Sequence, residues 1–346
     1  MRISVVMAVW NGTWCIERAL DSLMEQTRRP DQILVCDDGS TDGTPELIER
    51  RYGNAVTVLR LPHRNAAVTR KVGLDHMSGD WVAFMDADDT WLPEKLERQL
   101  AFLADHPEVR MVMSDGVYID VHGVIRDSWL ADYFDPVRER VGDLFEDLTE
   151  RCFTLLSSTM VEREAYASVG GLDQTLAYSY DYDLWLRVAA RFPAAIMAER
   201  LTTYYSSPGA LSRNIEARYR DDLVLMRRIE AGLLGERAQA QRFAAERAAS
   251  IEYDLGLLCL RSGRSEEGRD RMWRALERGP LKRRALAAAS LLLPAWVVGR
   301  LKRSTWLKGA VQASREPVTR VGADARLDAA DAWSESEPGD RDRGAA

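Results

Sequence analysis

The sequence predicts an α/β fold with a doubly wound, mainly parallel sheet, and two observations carry this prediction. Short apolar runs of strand type alternate with amphipathic segments through the N-terminal part of the chain, and polar clusters follow three of the predicted strands. Strand–helix units at this spacing form a parallel sheet with helices on both faces. Ligands of such sheets bind outside the carboxyl ends of the strands, so the polar clusters mark the expected binding edge.

The predicted elements follow one another in regular order. Strands are expected at Ile3–Val9, Ile33–Cys36, Val56–Leu59 and Trp81–Met85. Helices are expected at 16–24, 44–52, 66–77 and 93–104, because their apolar residues recur at helical spacing. An edge strand is expected at Thr202–Ser206, and the pattern is helical from Glu216 to about Leu276, with a helical hairpin over Tyr253–Leu276.

Domain boundaries follow from these changes of pattern. We expect an α/β domain over residues 1–210 and a helical region over 211–312. The last segment, 313–346, is rich in charged and small residues and is expected to be disordered, because it has too few large apolar residues to form a core.

Composition excludes several classes of protein. The 346 residues include 47 Lys and Arg against 54 Asp and Glu, a net charge of −7, which argues against a nucleic-acid binder. The four cysteines lack the spacing of a metal site or a disulfide framework, so we expect reduced thiols in a cytoplasmic protein. No apolar segment reaches the roughly 20 residues needed to span a bilayer.

One segment departs from the acidic average. Residues 278–308 contain eight basic residues, no acidic residue and an apolar block with Trp296 inside it. Basic residues and tryptophan beside an apolar helix are typical of a segment lying on an anionic membrane surface. A helix that packs on the rest of the protein, with its basic residues in solvent, explains the pattern equally well.

The strongest motif for chemistry is the acidic turn after the fourth predicted strand, where Asp86, Asp88 and Asp89 lie close together. One of Asp88, Asp89 and Thr90 could simply cap the helix that follows. Three neighbouring carboxylates repel one another, however, and a bound cation would offset that repulsion. Carboxylate oxygens at a strand end are suited to Mg²⁺ or Mn²⁺, with a diphosphate completing the coordination.

Two further motifs allow a structural and a functional interpretation. The run from Asp37 to Thr44 is typical of a turn and helix cap, but one of its carboxylates could instead accept a nucleobase N–H. Asp181 precedes a helix expected at Asp183–Arg191, where acids favour the helix dipole. The same Asp181 could also face the binding edge as a general base.

These motifs together resemble glycosyltransferase family 2. The resemblance covers residues 1–210 and rests on four ordered segments, at 4–11, 37–44, 65–89 and 181–187. It implies the GT-A fold, a Rossmann-like, doubly wound mixed sheet, here with an α-helical C-terminal extension. It also implies a metal-dependent, inverting transfer of a sugar from a nucleotide-sugar donor, expected to be a UDP-sugar, to a hydroxyl group of an acceptor.

The resemblance assigns roles to particular residues. Asp38 matches the acid that binds a uracil-type base, with Ala8 and Trp10 flanking the base pocket. Arg70 matches a basic residue near the diphosphate. Asp86 is expected on the ribose and metal side of the donor, Asp88 is expected to ligate Mn²⁺ or Mg²⁺, and Asp181 is expected to be the catalytic base.

The resemblance has three departures at these positions. Tyr180 stands where an acidic residue commonly precedes the base, Trp10 stands where tyrosine is common, and Ala8 stands where a small polar residue is common. These changes affect the surroundings of the base and of the nucleotide. The assigned acids themselves are all present.

Many members of the family extend glycans on lipid carriers, so the expected acceptor is a surface polysaccharide or a lipid-linked glycan. The expected location is the cytoplasm, with peripheral contact at the inner face of the plasma membrane through residues 278–308. Two alternatives remain open: an inactive nucleotide-sugar-binding or scaffold protein on the same fold, and a nucleotidyltransferase. The latter usually has a glycine-rich phosphate loop, which the segment 11–14 does not resemble.

Overall fold

The computed structural model describes residues 1–120, 123, 125–206, 214–279 and 281–292. Its strands are β1 (Ile3–Val9), β2 (Gln32–Asp37), β3 (Thr57–Arg60), β4 (Trp81–Asp86), β5 (Thr90–Trp91), β6 (Met111–Ile119), β7 (Ile125–Arg126), β8 (Arg140–Gly142), β9 (Thr159–Glu162) and β10 (Ala194–Tyr205). Its helices are α1 (Ile16–Met24), α2 (Thr44–Tyr52), α3 (Ala66–Asp75), α4 (Lys95–Asp105), α5 (Phe145–Glu150), α6 (Arg163–Ser168), α7 (Tyr180–Ala189), α8 (Ile215–Glu230), α9 (Ala238–Arg261), α10 (Ser265–Arg278) and α11 (Leu281–Leu292). Short 3₁₀ turns lie at Gly53–Ala55, Leu130–Asp132 and Leu156–Ser158.

Three predictions fall outside these residues in whole or in part. The boundary expected near residue 210 lies in an undescribed stretch, and so do the tail at 313–346 and the part of segment 278–308 that follows residue 292.

The sheet is parallel around β1 and mixed beyond β4. In the described part of the chain the strand order is β3-β2-β1-β4-β9-β6-β10-β5, with β7 beside β6 and β8 beside β10. β1 is parallel to both β2 and β4, whereas β9 is antiparallel to β4 and to β6. One reversed strand therefore joins two parallel groups, which confirms the predicted doubly wound mixed sheet.

Hydrophobic layers cover both faces of the sheet. Val6 and Phe84 belong to one layer, and their neighbours Val5 and Ala83 belong to the other. Successive side chains of a strand point to opposite faces, so a strand that is apolar at every position needs cover on both sides. This explains why the N-terminal strands appear in the sequence as continuous apolar runs.

The first crossover helices show how the sequence determines this cover. The buried apolar side chains of α1 are Ile16, Ala19, Leu20 and Leu23. They recur three and four residues apart and form one apolar face. Helix α3 approaches the sheet more closely, because a β-carbon at Gly73 would stand only 2.5 Å from Cys36 Sγ. Glycine is thus required where α3 crosses β2.

The helical C-terminal region shares one core with the α/β region. Leu223 of α8 and Ile251 of α9 lie in the same hydrophobic cluster as Val6 and Phe84. The predicted helical hairpin is also present, as α9 and α10 with a turn between residues 261 and 265. None of the helices in the described ranges is long and apolar enough to cross a membrane.

Helix α11 contains the beginning of the basic segment 278–308. Its Ala287 is buried in a small cluster with Tyr253 and Met272. Arg283 Nη1 lies 3.1 Å from Asp254 Oδ1 of α9. This part of the segment therefore packs on the helical hairpin.

Two expectations about secondary structure are wrong. Thr202–Ser206 is not an edge strand, because residues 202–205 are the last part of a long strand, β10, that lies between β6 and β5. The pairing of β10 with β6 shifts register around Arg200. The polar residues at this irregularity interrupt the apolar pattern, so the sequence did not indicate that the strand begins at Ala194. Helix α7 begins at Tyr180 rather than at Asp183, so Asp181 lies in its first turn.

Candidate active site

The three acids at the end of β4 and in the turn that follows it have different surroundings. Asp86 and Asp88 are partly exposed, whereas Asp89 is buried. Asp89 accepts hydrogen bonds from Ser157 Oγ and, at 3.1 Å, from the backbone N–H of Tyr205. Burial, together with the charges of Asp88 and Asp86, raises the pKa of Asp89 well above its usual range. Asp89 therefore anchors the loop, and Asp86 and Asp88 are the two acids at its surface.

The capping interpretation of these acids is not realised. The residue before α4 is Glu94, which makes no side-chain capping bond. The loop is held from another direction, because Arg18 Nη2 donates to the backbone carbonyl of Asp88 at 2.7 Å. The acidic turn thus has its own supports and is not explained by the start of α4.

Asp38 follows β2 and connects two loops. Its side chain is 7% exposed. Oδ1 accepts a hydrogen bond from the backbone N–H of Arg64 at 3.0 Å and another from Thr69 Oγ1. His63 Nδ1 lies 3.0 Å from Oδ2. The turn itself is closed by Asp37, whose Oδ2 accepts a hydrogen bond from Ser40 N at 3.1 Å. Asp37 therefore stabilises the turn, whereas Asp38 belongs to the candidate site.

The end of β1 provides an aromatic surface beside Asp38. Ala8 pairs with Cys36 on β2 and with Asp86 on β4, which puts it between the two acidic loops. Trp10 is 55% exposed. Its ring stacks on His63, with 4.7 Å between ring centroids and 25° between ring planes.

Arg70 lies beneath the acidic turn. Its side chain is only 1% exposed, and its Nη2 donates to Asp86 Oδ1 at 2.7 Å and to the carbonyl of Met85 at 3.2 Å. Its Nη1 donates to the hydroxyl of Tyr180. Burial disfavours its charge, but the charges of Tyr180 and Asp86 more than offset that effect and raise the pKa of Arg70. Arg70 therefore joins the turn after β4 to the start of α7.

Asp181 lies in the first turn of α7, between the buried residues Tyr180 and Tyr182. Its Oδ1 accepts the backbone N–H of Tyr182 at 2.7 Å. Burial raises the pKa of Asp181 to about 6, and the negative charge of Asp86 adds to that shift. A carboxylate with this pKa is deprotonated at neutral pH and is a stronger base than an ordinary aspartate.

The first turn of α7 is held by α8. Asp221 Oδ2 accepts the backbone N–H groups of Tyr178 at 2.8 Å and of Ser179 at 3.2 Å. Asp222 Oδ1 accepts from Ser179 Oγ at 2.7 Å. Residues of the helical region therefore fix the segment that leads into Asp181.

A residue of α9 completes this support. Arg247 Nη1 donates to the hydroxyl of Tyr182 at 2.7 Å, and Arg247 Nη2 lies 3.4 Å from Asp222 Oδ2. Sequence reasoning missed Asp221, Asp222 and Arg247, because each is an ordinary polar residue within a helical pattern. The adjacent acids Asp221 and Asp222 were a signal in the sequence that α8 could contact the site. On a helix, however, such a pair usually faces solvent, so the signal is weak.

Comparison with known proteins identifies the N-terminal part of the chain. Residues 4–163 match the sequence model of glycosyl transferase family 2. This part of the chain belongs to that family. The match includes the acidic loops after β2 and β4 and ends before α7.

Relatives of this chain share low sequence identity with it over long segments. It is 27% identical to EpsE of Bacillus subtilis (strain 168) over 192 residues, 54% of this chain and 66% of EpsE. It is 25% identical over 215 residues to the UDP-Glc:alpha-D-GlcNAc-diphosphoundecaprenol beta-1,3-glucosyltransferase WfaP of Escherichia coli, 61% of this chain and 80% of WfaP. The chain thus spans just under two thirds of the length of EpsE.

Solved structures share the GT-A fold of this chain over most of its length. The S. aureus protein TarS, residues 1–349 in complex with UDP, superposes with a TM-score of 0.61 at 16% identity, covering 93% of this chain and 94% of TarS 1–349. The mannosyltransferase PcManGT of Pyrobaculum calidifontis, in complex with GDP-Man and Mn²⁺, superposes with a TM-score of 0.57 at 19% identity, covering 86% of this chain and 83% of PcManGT. At these sequence identities the superpositions show a shared fold alone.

The acids of the family 2 site fit a cation that is shared with a ligand. Over the described ranges no three His, Cys, Asp or Glu side chains are grouped to hold a metal ion by themselves. Mg²⁺ is usually bound by one or two carboxylates together with substrate phosphates. Asp86 and Asp88 provide such a pair, with Asp86 Oδ1 oriented by Arg70.

The predicted site residues occupy two linked places in this family 2 chain. Ala8, Trp10 and Asp38 lie at the carboxyl ends of β1 and β2, and Asp86 ends the neighbouring strand β4. The hydrogen bonds of Arg70 connect Asp86 to Tyr180, the residue before Asp181. Arg70 itself is buried in this structure and contacts Asp86 and Tyr180.

Proposed function

We propose that this protein is an inverting glycosyltransferase that moves a sugar from a UDP-sugar to a hydroxyl group of a glycan acceptor. The observation that carries the proposal is the link between Asp86 and the start of α7 through the buried Arg70. This link ties the acids suited to a donor diphosphate to the carboxylate suited to a base. Family membership and the GT-A fold support the same activity.

The donor nucleotide is proposed to bind at the ends of β1 and β2. Trp10 is about half exposed and offers an aromatic face, on which His63 lies in this structure; stacking of a base on such a face contributes about 1–3 kcal/mol. Asp38 is an acceptor for the N–H of a uracil-type base, and Ala8 leaves room beside it. The UDP complex of TarS, a protein of the same fold, supports a uridine nucleotide.

The donor diphosphate is proposed to lie against the turn after β4. Asp86 and Asp88 would hold Mn²⁺ or Mg²⁺ there, and when bound the cation offsets the negative charge that develops on the departing diphosphate. Arg70 fixes the orientation of Asp86 from below. The Mn²⁺ complex of PcManGT supports this role.

Asp181 is proposed to accept the proton of the acceptor hydroxyl. The hydroxyl oxygen then attacks the anomeric carbon from the face opposite the nucleotide, and the bond from that carbon to the diphosphate oxygen breaks. Configuration at the anomeric carbon is inverted by this single displacement. A positioned general base contributes about 10²–10⁴-fold to such a step. The proton on Asp181 is afterwards lost to water.

The acceptor is proposed to be a polysaccharide or a lipid-linked glycan. The name of WfaP describes transfer to a diphosphoundecaprenol-linked sugar, and it supports this class. We further propose that the protein works in the cytoplasm, with peripheral contact at the inner face of the plasma membrane through residues 278–308. Deleting residues 278–346 is expected to move the protein from the membrane fraction to the soluble fraction, and an unchanged partition would contradict the membrane contact.

The experiment that tests the donor is a thermal-shift panel of UDP-, GDP- and TDP-sugars with Mn²⁺. A UDP-sugar is expected to raise the unfolding temperature most, because a ligand that binds only the folded state stabilises it. The same mixture without Mn²⁺ should give a smaller shift. Stabilisation by GDP- or TDP-sugars alone would contradict the uridine assignment.

The products of the reaction separate the alternatives. A glycosyltransferase releases UDP from the donor, whereas a nucleotidyltransferase releases inorganic diphosphate from a nucleoside triphosphate. An inactive scaffold protein would bind the donor and release neither product. Release of UDP that depends on Mn²⁺ is the expected result.

A further inference from the structure

His63 makes the two contacts that the proposed donor pocket offers to a nucleobase. Its ring stacks on Trp10, with 4.7 Å between the centroids. Its Nδ1 lies 3.0 Å from Asp38 Oδ2. These are an aromatic stack and a hydrogen bond to the same carboxylate, and a uracil-type base is proposed to use both. The inference below therefore rests on the proposed function.

The direction of the hydrogen bond from His63 to Asp38 is also the one expected for a uracil-type base. Nδ1 lies 3.0 Å from the backbone carbonyl oxygen of Asp38 as well as from its carboxylate. Both oxygens only accept hydrogen bonds, so Nδ1 carries the proton and donates. The N–H of a uracil-type base would donate to Asp38 in the same way.

The two rings would have to occupy the same place. Because His63 reaches Asp38 Oδ2 while its ring lies on Trp10, Asp38 is on the His63 side of the indole. Oδ1 of Asp38 already accepts from Arg64 N and from Thr69 Oγ1. Oδ2 is therefore the oxygen left for a base, and a base that reaches it while stacking on Trp10 meets the His63 ring.

The backbone around His63 is fixed, whereas its side chain has room to move. Leu61 N donates to the carbonyl of Asp37 at 2.9 Å, and Arg64 N donates to Asp38 at 3.0 Å. A β-carbon at Gly39 would stand only 2.8 Å from His63 N, so the two loops pass closely there. The His63 side chain is 54% exposed, and exposed side chains change rotamer within nanoseconds.

We propose that His63 competes with the nucleobase of the donor for Trp10 and Asp38 and so sets the affinity of the pocket for uridine nucleotides. The ring must rotate away before the base can bind. The apparent Kd is then the intrinsic Kd divided by the fraction of molecules whose pocket is open. Removing the His63 ring is expected to lower the Kd for UDP about threefold to tenfold.

The test is calorimetric titration of the full chain with UDP and, separately, with inorganic diphosphate, both in the presence of Mn²⁺. The variants are His63→Ala, which removes the ring, and His63→Phe, which retains a ring on Trp10 but cannot donate to Asp38. The matched control is His76→Ala, because His76 is an exposed histidine at the end of α3 whose Nδ1 lies 2.7 Å from the Val72 carbonyl.

In His63→Ala the Kd for UDP is expected to fall while the Kd for diphosphate stays unchanged, since diphosphate has no base. His63→Phe should lie between wild type and His63→Ala, and His76→Ala should match wild type. An unchanged or weaker UDP affinity in His63→Ala would overturn the proposal, and so would an equal gain for both probes. If folded wild-type protein and His63→Ala both fail to bind UDP, the proposed donor pocket itself is overturned.

Discussion

The two sides of the candidate site are built in different ways. On the donor side, Asp38 follows β2 and Asp86 ends β4, and the parallel register of both strands with β1 places the two acids on either side of the end of β1. On the catalytic side, Asp181 depends on contacts from α8 and α9 to the first turn of its helix. Position on the donor side thus follows from local sequence, whereas position on the catalytic side follows from packing of distant segments.

The largest expected effect tests the catalytic side. Asp181→Asn should lower the rate of sugar transfer about 10²–10⁴-fold, because the amide cannot accept the proton of the acceptor hydroxyl. The Kd for UDP should be unchanged, because the donor loops are not altered. The measurements are UDP release with the donor from the thermal-shift panel and calorimetric binding of UDP. A rate near that of wild type would remove Asp181 from the role of base.

The neighbouring acid Asp183 provides the comparison for that variant. Its carboxylate is buried and pairs with Arg187 of the same helix and, at 3.1 Å, with Arg228 of α8. Asp183→Asn should lower the unfolding temperature, because it removes the buried negative charge that pairs with the two partly exposed arginines. Asp181→Asn should leave the unfolding temperature nearly unchanged. These results would assign a chemical role to Asp181 and a structural role to Asp183, although both lie in the first turn of α7.

The second largest effect tests whether the helical region positions the base. Asp222→Asn weakens the contacts to Ser179 and Arg247, so the start of α7 should shift. A displacement of about 1 Å can lower kcat by up to about 10²-fold. We expect kcat to fall more than tenfold while the Kd for UDP stays unchanged, measured as for Asp181→Asn.

The matched control for Asp222→Asn is Asp254→Asn, in which an acid of α9 loses its pairing with Arg283 of α11. This variant should retain the wild-type kcat. Equal losses in both variants would mean that the helical region affects stability in general rather than the position of Asp181.

A smaller effect tests the donor side. Asp38→Asn should raise the Kd for UDP about tenfold, because hydrogen bonds to a charged group contribute about 1.5–3 kcal/mol. The value of kcat at saturating donor should change little. The control is Asp31→Asn, since Asp31 binds Ile3 N at the opposite, amino end of the sheet. If Asp38→Asn lowered kcat without changing the Kd for UDP, the assignment of donor binding to one side of the site and catalysis to the other would be wrong.

The smallest effect is a pH dependence. Asp181 must be deprotonated to accept a proton, and burial raises its pKa to about 6. The rate should therefore be maximal above pH 7, fall about twofold at pH 6 and fall about tenfold at pH 5. Profiles of kcat/KM and of kcat report the free and the donor-bound enzyme respectively. The residual activity of Asp181→Asn should lack this acid limb, and a limb that persists in the variant would assign it to another group.

The same contrast explains what could be predicted from sequence. The fold and the donor loops were accessible, because apolar runs, glycines and acids at strand ends are local signals. The alternation of strands and helices, with Asp38 and Asp86 at the same edge of the sheet on either side of β1, needs only the rules of parallel strands. The assignment of Asp181 needed the resemblance to a known family, and its place inside α7 was not foreseen.

Other features were inaccessible from sequence because they depend on partners far along the chain. Burial of Arg70 under Asp86 requires the approach of Tyr180, more than a hundred residues later. The stack of His63 on Trp10 joins the loops after β3 and β1. Neither contact has a sequence pattern, because each joins segments that are far apart along the chain.

The support of α7 by later helices also has a consequence for synthesis of the protein. Chains emerge from the ribosome at about 5–20 residues per second, and N-terminal units fold first. The strands that carry Asp38 and Asp86 can pair as soon as β4 has emerged. Asp181 acquires its hydrogen-bonded setting only after Asp222 and Arg247 have followed, several seconds later. The nascent chain is therefore expected to form the proposed donor site before the proposed catalytic site.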